Sequence, residues 1–471
     1  MSRTFPLSPL TSHPKSATHS RSTSIKSIKS SASPLDPLAA TLATVQSKYT
    51  LSHPKSLEAH KEACNNLPGG NTRTVLHQSP FPITFVKGQG CELTSLDGHV
   101  YVDFLGEYSA GIYGHSNKEI ASAVTEAMKD GWNFGGPNSY ERELARKVTK
   151  RFSPSGLEVV RFTNSGTEAN TMALAAAKVA TGRSQILAFK NGYHGGTIYF
   201  PTSQHTANVN LPHSFVLAPY NDIPATREII AQIPKGSLAA IIVEPLQGSG
   251  GSIPGTKEFL LYLNRTAHQL GALFIVDEVM TSRLSYHGLS HSLGLTPDLV
   301  TLGKWVAGGM TFGAFGGRRE GGIMSLFDPR NNILSHSGTF NNNIITMAAG
   351  CVGMDIYNEE QLQRLNKLGE TLKSSVTSTL EKHGITVTEG AKPKMYVTGL
   401  GSMLGIHFSG AQEKMLGTLF WHHMLECGIY FAARGYIALN IELDTRHIEK
   451  FVEGVESFIG SYKGCLVVEG K

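Results

Sequence analysis

A single lysine, Lys304, follows the short apolar run Leu299-Val-Thr-Leu302 and precedes the small residues Ala307-Gly308-Gly309. A lysine at the end of a buried strand is held away from bulk water. That favours its neutral amine, the form that condenses with an aldehyde. Small residues behind it let a flat ring lie against the backbone. Alone, the same pattern fits a solvated loop lysine, so its meaning depends on what other strand ends carry.

Three other strand ends carry polar groups. The run Val159–Thr163 leads into Asn164-Ser165-Gly166-Thr167-Glu168, which opens a helix. Free backbone N–H groups, two hydroxyls and the helix dipole there suit a phosphate monoester; the alternative is an ordinary Ser N-cap. The run Gln185–Phe189 leads into Asn191-Gly-Tyr193-His194-Gly195-Gly196, where a glycine-flanked aromatic either lies against a heteroaromatic ring or forms a surface turn. Ile275-Val276 leads into Asp277-Glu-Val279. A carboxylate at a buried strand end needs a cation, either a protonated ring nitrogen or an Arg or Lys side chain. His422 and His423 are adjacent on a helical stretch and point to different faces, which reads as structural or surface placement and not as a metal pair.

The elements that position these groups alternate. Strand-like runs at 159–163, 185–189, 240–243, 272–276 and 299–302 are separated by helical patterns, including 167–180 and 257–270. Short all-apolar strands between helices predict a mainly parallel sheet covered on both faces, and ligands bind such sheets at the carboxyl ends of the strands. A helical pattern covers residues 35–66. Strand-like pieces at 83–86, 91–94 and 99–104 follow, the last two joined by Asp97-Gly98, a hairpin signal. A helix is expected over 117–129. Helices at 346–357, 361–383 and 445–459, with short strands among them, form an α+β tail. The expected organisation is a leader (1–35), an N-terminal helix with a small-domain segment (36–110), a large domain (111–345) and a C-terminal small domain (346–471).

With 471 residues, 40% hydrophobic and 17% charged, the chain has the composition of a soluble α/β enzyme. Apolar runs fall short of a membrane span. Five scattered cysteines without a CxxC pair suggest reduced thiols inside a cell. Residues 1–35 hold Arg3, Lys15, Arg21, Lys26 and Lys29 and no acid. Without those five, the 42 Lys and Arg fall to 37, equal to the 37 Asp and Glu, so the body is neutral and lacks the basic excess of a nucleic-acid binder. The basic, Ser-rich leader fits a disordered tail of a cytoplasmic protein or, alternatively, a mitochondrial transit peptide.

A phosphate, an aromatic ring, a basic ring nitrogen and an aldehyde together describe pyridoxal 5′-phosphate. The order Ser165-Gly-Thr167, Tyr193-His194, Asp277-Glu-Val279 and Lys304 resembles the class III aminotransferases of fold type I. The resemblance spans roughly residues 36–460 and is strongest to the branch that holds glutamate-1-semialdehyde aminomutases and β-phenylalanine aminotransferases. Gly69-Gly-Asn-Thr-Arg-Thr-Val75, Asp277-Glu-Val-Met-Thr-Ser-Arg283, His336-Ser-Gly-Thr-Phe-Asn-Asn-Asn343 and Ala433-Arg-Gly435 look most like the β-amino-acid enzymes.

The resemblance implies roles. Lys304 is expected to be the Schiff-base lysine and the proton-transferring base, and Asp277 the partner of the ring nitrogen. Val279 is expected behind the ring, Tyr193 stacked upon it with His194 alongside, and Ser165, Gly166 and Thr167 around the phosphate. Glu244 and Gln247 would line the cofactor's far side. Thr339 would reach the phosphate in a neighbouring subunit, making a homodimer with shared sites. Arg73 and Arg434 would bind substrate carboxylates, one from a β-amino acid and one from a 2-oxo acid acceptor. The implied reaction is ping-pong transfer from a β-amino acid to a 2-oxo acid. The alternatives are an intramolecular aminomutase and a non-catalytic, cofactor-holding scaffold. Two departures, Trp305 after the lysine and Phe431-Ala-Ala433 before Arg434, are expected to reshape the side-chain pocket.

Overall fold

The computed structural model describes residues 36–202, 209–385 and 393–466; the leader expected over residues 1–35 lies outside them. A seven-stranded sheet runs in the order Val159–Thr163, Gly313–Gly317, Leu299–Gly303, Leu273–Asp277, Leu238–Val243, Gln185–Phe189, Ser214–Ala218. Every strand is parallel except Gly313–Gly317, which is antiparallel to both neighbours. Leu238–Val243 is buried at every residue, as expected of a strand covered on both faces. Ala169, Ala173 and Ala177 of the helix Gly166–Thr181 pack on one face. Phe259, Leu260 and Leu263 of the helix Lys257–Gln269 pack against Phe274 and Val276 on the other.

Gly313–Gly317 reads as a loop because it is mostly glycine, yet it is fully buried. Glycine is required by space: a Cβ at Gly313 would collide with the carbonyl of Ser165, and one at Gly316 with that of Val159. The helical pattern over 35–66 is two helices, Pro37–Ser52 and Pro54–Ala63. Pro54 has no N–H to continue the first and forces His53 out of helical geometry. The helix Ser139–Phe152 was not foreseen, although Leu144, Val148 and Phe152 repeat at a spacing of four and are all fully buried.

The hairpin Glu92–Ser95/Val100–Asp103 turns at Asp97-Gly98 and gains a parallel partner, Ile429–Tyr430, from the far end of the chain. A three-stranded sheet, Met395–Leu400, Met403–Phe408 and Tyr436–Ala438, packs under the helices Glu359–Lys382, Glu413–Glu426 and Thr445–Leu466. One core cluster runs from Phe104 through Trp305 to Leu404 and Phe451, which ties these segments to the lysine end of the large sheet. Among the described residues no helix is long and apolar enough to cross a membrane.

Candidate active site

The large sheet delivers its polar groups at the carboxyl ends of its strands. Lys304 follows Leu299–Gly303 directly, in a left-handed backbone conformation (φ 56°). Such a conformation is costly for a residue with a Cβ and persists only where its surroundings fix it. Here the next residue is the anchor. Trp305 is fully buried, donates Nε1–H to Ser282 Oγ at 3.0 Å and accepts Tyr113 OH on its carbonyl at 2.8 Å. Its indole therefore fills core against Tyr357, and the expected reshaping of the pocket by Trp305 is not what this residue does. Phe431 is likewise fully buried. The Lys304 ammonium donates to the Tyr108 carbonyl at 2.5 Å. Burial brings its pKa down to about 8; Glu107 and Asp277 pull it up, while Arg434 and Arg73 push it down.

Asp277 ends the adjacent strand, and its carboxylate is buried. Its Oδ2 accepts from Asn170 Nδ2 and His194 Nδ1, both at 2.8 Å, and Oδ1 accepts the Val279 N–H at 3.0 Å. Burial works to lower the His194 pKa, but the hydrogen bond and charge of Asp277 outweigh it and the net shift is upward. Asn170 is fixed in turn by Thr301 OH, which donates to its Oδ1 at 2.7 Å.

Ser165 caps the helix Gly166–Thr181, its Oγ accepting the Glu168 N–H at 3.1 Å. The N-cap role is thus real, and the first-turn N–H groups of Gly166 and Thr167 stay available to an anion. The turn at 192–196 closes on this terminus. Gly196 N–H donates to Thr167 Oγ1 at 3.2 Å, and a Cβ on Gly195 would lie 2.6 Å from Thr167 Cα. Val279 forms a floor: a Cβ on Gly166 would sit 2.9 Å from both its methyl groups, and one on Gly303 would sit 3.1 Å from Cγ1.

Tyr193 keeps 40% of its surface exposed, edge-on to Tyr199. Its N–H donates to Glu244 Oε1 at 2.9 Å, and Gly248 N–H to Oε2 at 3.1 Å. Burial pushes the Glu244 carboxyl up to about 7. Gln247 donates to the Lys190 carbonyl at 3.0 Å. Glu244 and Gln247 therefore brace the backbone of the turn that carries Tyr193. A flat, anionic, pyridine-containing cofactor fits this donor set: anion-ready N–H groups, a buried carboxylate, an apolar floor, an exposed aromatic and a lysine of lowered pKa.

Two arginines flank one ring. The Cζ of Arg434 lies 5.5 Å from the Tyr108 ring centre and that of Arg73 lies 5.8 Å from it. Arg434 Nη1 donates to Ser249 Oγ at 3.1 Å, and Arg73 Nη1 to Glu107 Oε1 at 2.7 Å. Tyr108 also stacks on Tyr436, with centroids 5.9 Å apart. Glu107, Tyr108, Ser249 and Asn170 were not singled out from the sequence. The run Gly106-Glu-Tyr-Ser109, polar and glycine-led just past a strand end, is the signal that could have found the first two. Thr339 is exposed, and among the described residues it makes no hydrogen bond to Ser165, Thr167 or Lys304. His422 is buried, with Nε2 3.2 Å from the Ser79 carbonyl, and is structural.

The family model "Aminotransferase class-III" matches residues 75–457. The β-phenylalanine transaminase of Variovorax paradoxus is 42% identical over 438 residues, covering 90% of this chain and 97% of that protein. A crystal structure of a β-phenylalanine aminotransferase from the same organism superposes with a TM-score of 0.86 at 41% identity, covering 92% of this chain and all of that one. A transaminase structure with pyridoxal phosphate bound has a TM-score of 0.79 at 29% identity, covering 88% and 99% of the two chains. The glutamate-1-semialdehyde 2,1-aminomutase of Methanothermobacter thermautotrophicus is 32% identical, covering 87% of this chain and all of that protein.

Proposed function

The chain belongs to the class-III aminotransferases, and from that premise we propose that its amino donor is a β-amino acid and that Arg73 and Arg434 meet carboxylates, one the donor's and one the 2-oxo acid acceptor's. It is a pyridoxal-phosphate enzyme that moves an amino group from a donor to a 2-oxo acid. When bound, the cofactor supplies an electrophilic carbon and an electron-withdrawing ring that acidifies the donor's C–H bond.

The chain's own residues divide the remaining work. The N–H groups of Gly166 and Thr167 and the hydroxyls of Ser165 and Thr167 hold the phosphate. Asp277, kept in place by Asn170 and His194, offers a buried negative charge to the ring nitrogen. Val279, against Gly166 and Gly303, and the exposed Tyr193 would hold the ring. Lys304 takes and returns the proton of the donor carbon, for which a pKa near the working pH is suited.

One observation carries the donor assignment. Two guanidinium groups flank the Tyr108 ring, and the same residue's carbonyl holds the Lys304 amine. In a β-amino acid the carboxylate stands one carbon, about 1 Å, further from the reacting carbon than in an α-amino acid. Two guanidinium groups whose charges reach the lysine can meet a carboxylate one carbon removed from the reacting centre, and the β-phenylalanine transaminase relative supports that donor. The test is a donor panel with 2-oxoglutarate. β-Phenylalanine is expected to exceed α-phenylalanine and 1-phenylethylamine in kcat/KM by about 100-fold. Equal use of α-phenylalanine would refute the assignment. Conversion of glutamate-1-semialdehyde without any acceptor would place the chain among the aminomutases.

We also propose that the enzyme is a homodimer with shared sites. Trp132, Phe134 and Phe340 are each more than half exposed. Their segments adjoin, since Ile344 N–H donates to the Trp132 carbonyl and Asn342 Nδ2 to that of Gly136. Exposed aromatics on adjoining segments suit a protein contact, and Thr339 precedes Phe340 in one of them. A monomeric mass in solution would overturn this assembly.

A further inference from the structure

We propose that Glu107 is the positioning residue that makes Arg73 a carboxylate receptor: it holds one edge of the guanidinium and leaves the other free for the substrate. The inference rests on the reading that Arg73 meets the donor's carboxylate.

Arg73 lies between two single-turn segments, Pro68–Gly70 and Thr74–Leu76, with about half of its side chain in solvent. An arginine so placed has many rotamers to choose from, and ordering it for a ligand costs side-chain entropy. Among the described residues its hydrogen-bond partner is Glu107 Oε1, reached by Nη1 at 2.7 Å. That contact engages a single nitrogen. The Nε–Nη2 edge keeps the two parallel N–H groups that a bidentate carboxylate needs.

Glu107 is delivered by unusual backbone. Gly106, Glu107, Tyr108 and Ser109 have φ values of 51°, 44°, 52° and 78°, a full left-handed turn in which only the first residue is glycine. Each non-glycine residue there crowds its Cβ against the following carbonyl oxygen. The turn is pinned at its start by Asp103 Oδ1, which accepts the N–H groups of Leu105 (2.8 Å) and Gly106 (3.1 Å). Gly111 N–H closes it onto the Gly106 carbonyl at 2.9 Å. Backbone strain of this order collects where function requires a particular side-chain direction. Here it places two residues: Glu107 on Arg73, and Tyr108 with its ring near both guanidinium groups and its carbonyl on Lys304.

Positioning, and not blockade, follows from the energies. Both partners are about half exposed, so the pair itself is worth about 1 kcal/mol or less. That is too little to exclude a substrate carboxylate and enough to select a rotamer.

The test compares wild type, Glu107→Ala, Glu107→Gln, Arg73→Ala and Glu107→Ala/Arg73→Ala, all loaded with cofactor. Two readouts are taken: calorimetric Kd for the inert carboxylate 3-phenylpropanoate, and KM and kcat for β-phenylalanine. Unchanged cofactor absorbance and Tm establish that each variant is folded. Glu107→Ala is expected to raise both Kd and KM about three- to fivefold while kcat moves far less. Glu107→Gln, which keeps an acceptor oxygen, should recover most of the loss. In the Arg73→Ala background, Glu107→Ala should add nothing. Tighter or unchanged binding in Glu107→Ala, or an undiminished effect without Arg73, overturns the proposal. A wild type that ignores both compounds refutes the donor reading and this inference with it. A wild type that binds them while Glu107→Ala is unaffected refutes this inference alone.

Discussion

The capture of the aldehyde cofactor by Lys304 should depend on pH in a way an ordinary lysine would not show. Burial lowers this amine from 10.5 to about 8, which corresponds to about 3 kcal/mol against the charged form. At pH 7 an amine with a pKa of about 8 is neutral in roughly a tenth of the molecules, against about 0.03% at 10.5, a gain of about 300-fold in reactive species. The assay strips the protein of cofactor, mixes it with pyridoxal phosphate and follows the cofactor's near-visible absorbance between pH 6 and 10. The logarithm of the rate should rise with pH at unit slope until about 8 and then level. Arg434 pushes the amine down, so Arg434→Ala should move the inflection up; Glu107 pulls it up, so Glu107→Gln should move it down. A rate that keeps climbing to pH 10, or an inflection indifferent to both charges, would refute the argument.

Other residues give sharper tests of single contacts. Asp277→Asn keeps a group that can accept the Val279 N–H but removes the buried charge; kcat should fall by about 100-fold or more, measured at saturating substrate. Gly166→Ala should weaken cofactor binding about tenfold, because its Cβ would sit 2.9 Å from the Val279 methyls, and Val279→Ala in the same chain should restore much of it. Glu244 is raised from 4.5 to about 7 by burial, so between those values the folded state holds the proton that the unfolded state has released. Stability contributed by this group is complete below about 4.5 and is lost as pH rises through about 7. Denaturant titrations of Glu244→Gln against wild type should therefore show a stability difference that shifts in the variant's favour over that window, by at most about 3 kcal/mol, and flattens above it.

The cofactor-binding end of the molecule was readable because each of its groups sits at a strand end with its own local pattern. Ser165-Gly-Thr167, Asp277 and Lys304 follow apolar strands whose limits hardly differ from those observed. What escaped was whatever depends on backbone meeting backbone. Gly313–Gly317 has the composition of a loop, and only the crowding of Ser165 and Val159 carbonyls explains why it is a strand. Trp305 was read as pocket-lining from its position beside Lys304; the left-handed turn at the lysine sends the indole the other way, into the core. Glu107 and Tyr108 follow a glycine-led polar run past a strand end, a signal that marks a turn but not its left-handed course through three non-glycine residues. The helix break at His53-Pro54 was visible as a proline and was read through.

A two-step optical experiment with the cofactor-loaded enzyme tests amino transfer from a β-amino acid most directly. β-Phenylalanine is added without acceptor and the visible cofactor band is followed; 2-oxoglutarate or pyruvate is added afterwards. Transfer of an amino group from a β-amino acid requires the band to bleach in the first step and return in the second. A band unmoved by β-phenylalanine, in an enzyme that still bleaches with another amine, would contradict the assignment of a β-amino acid donor to this arginine-bearing site.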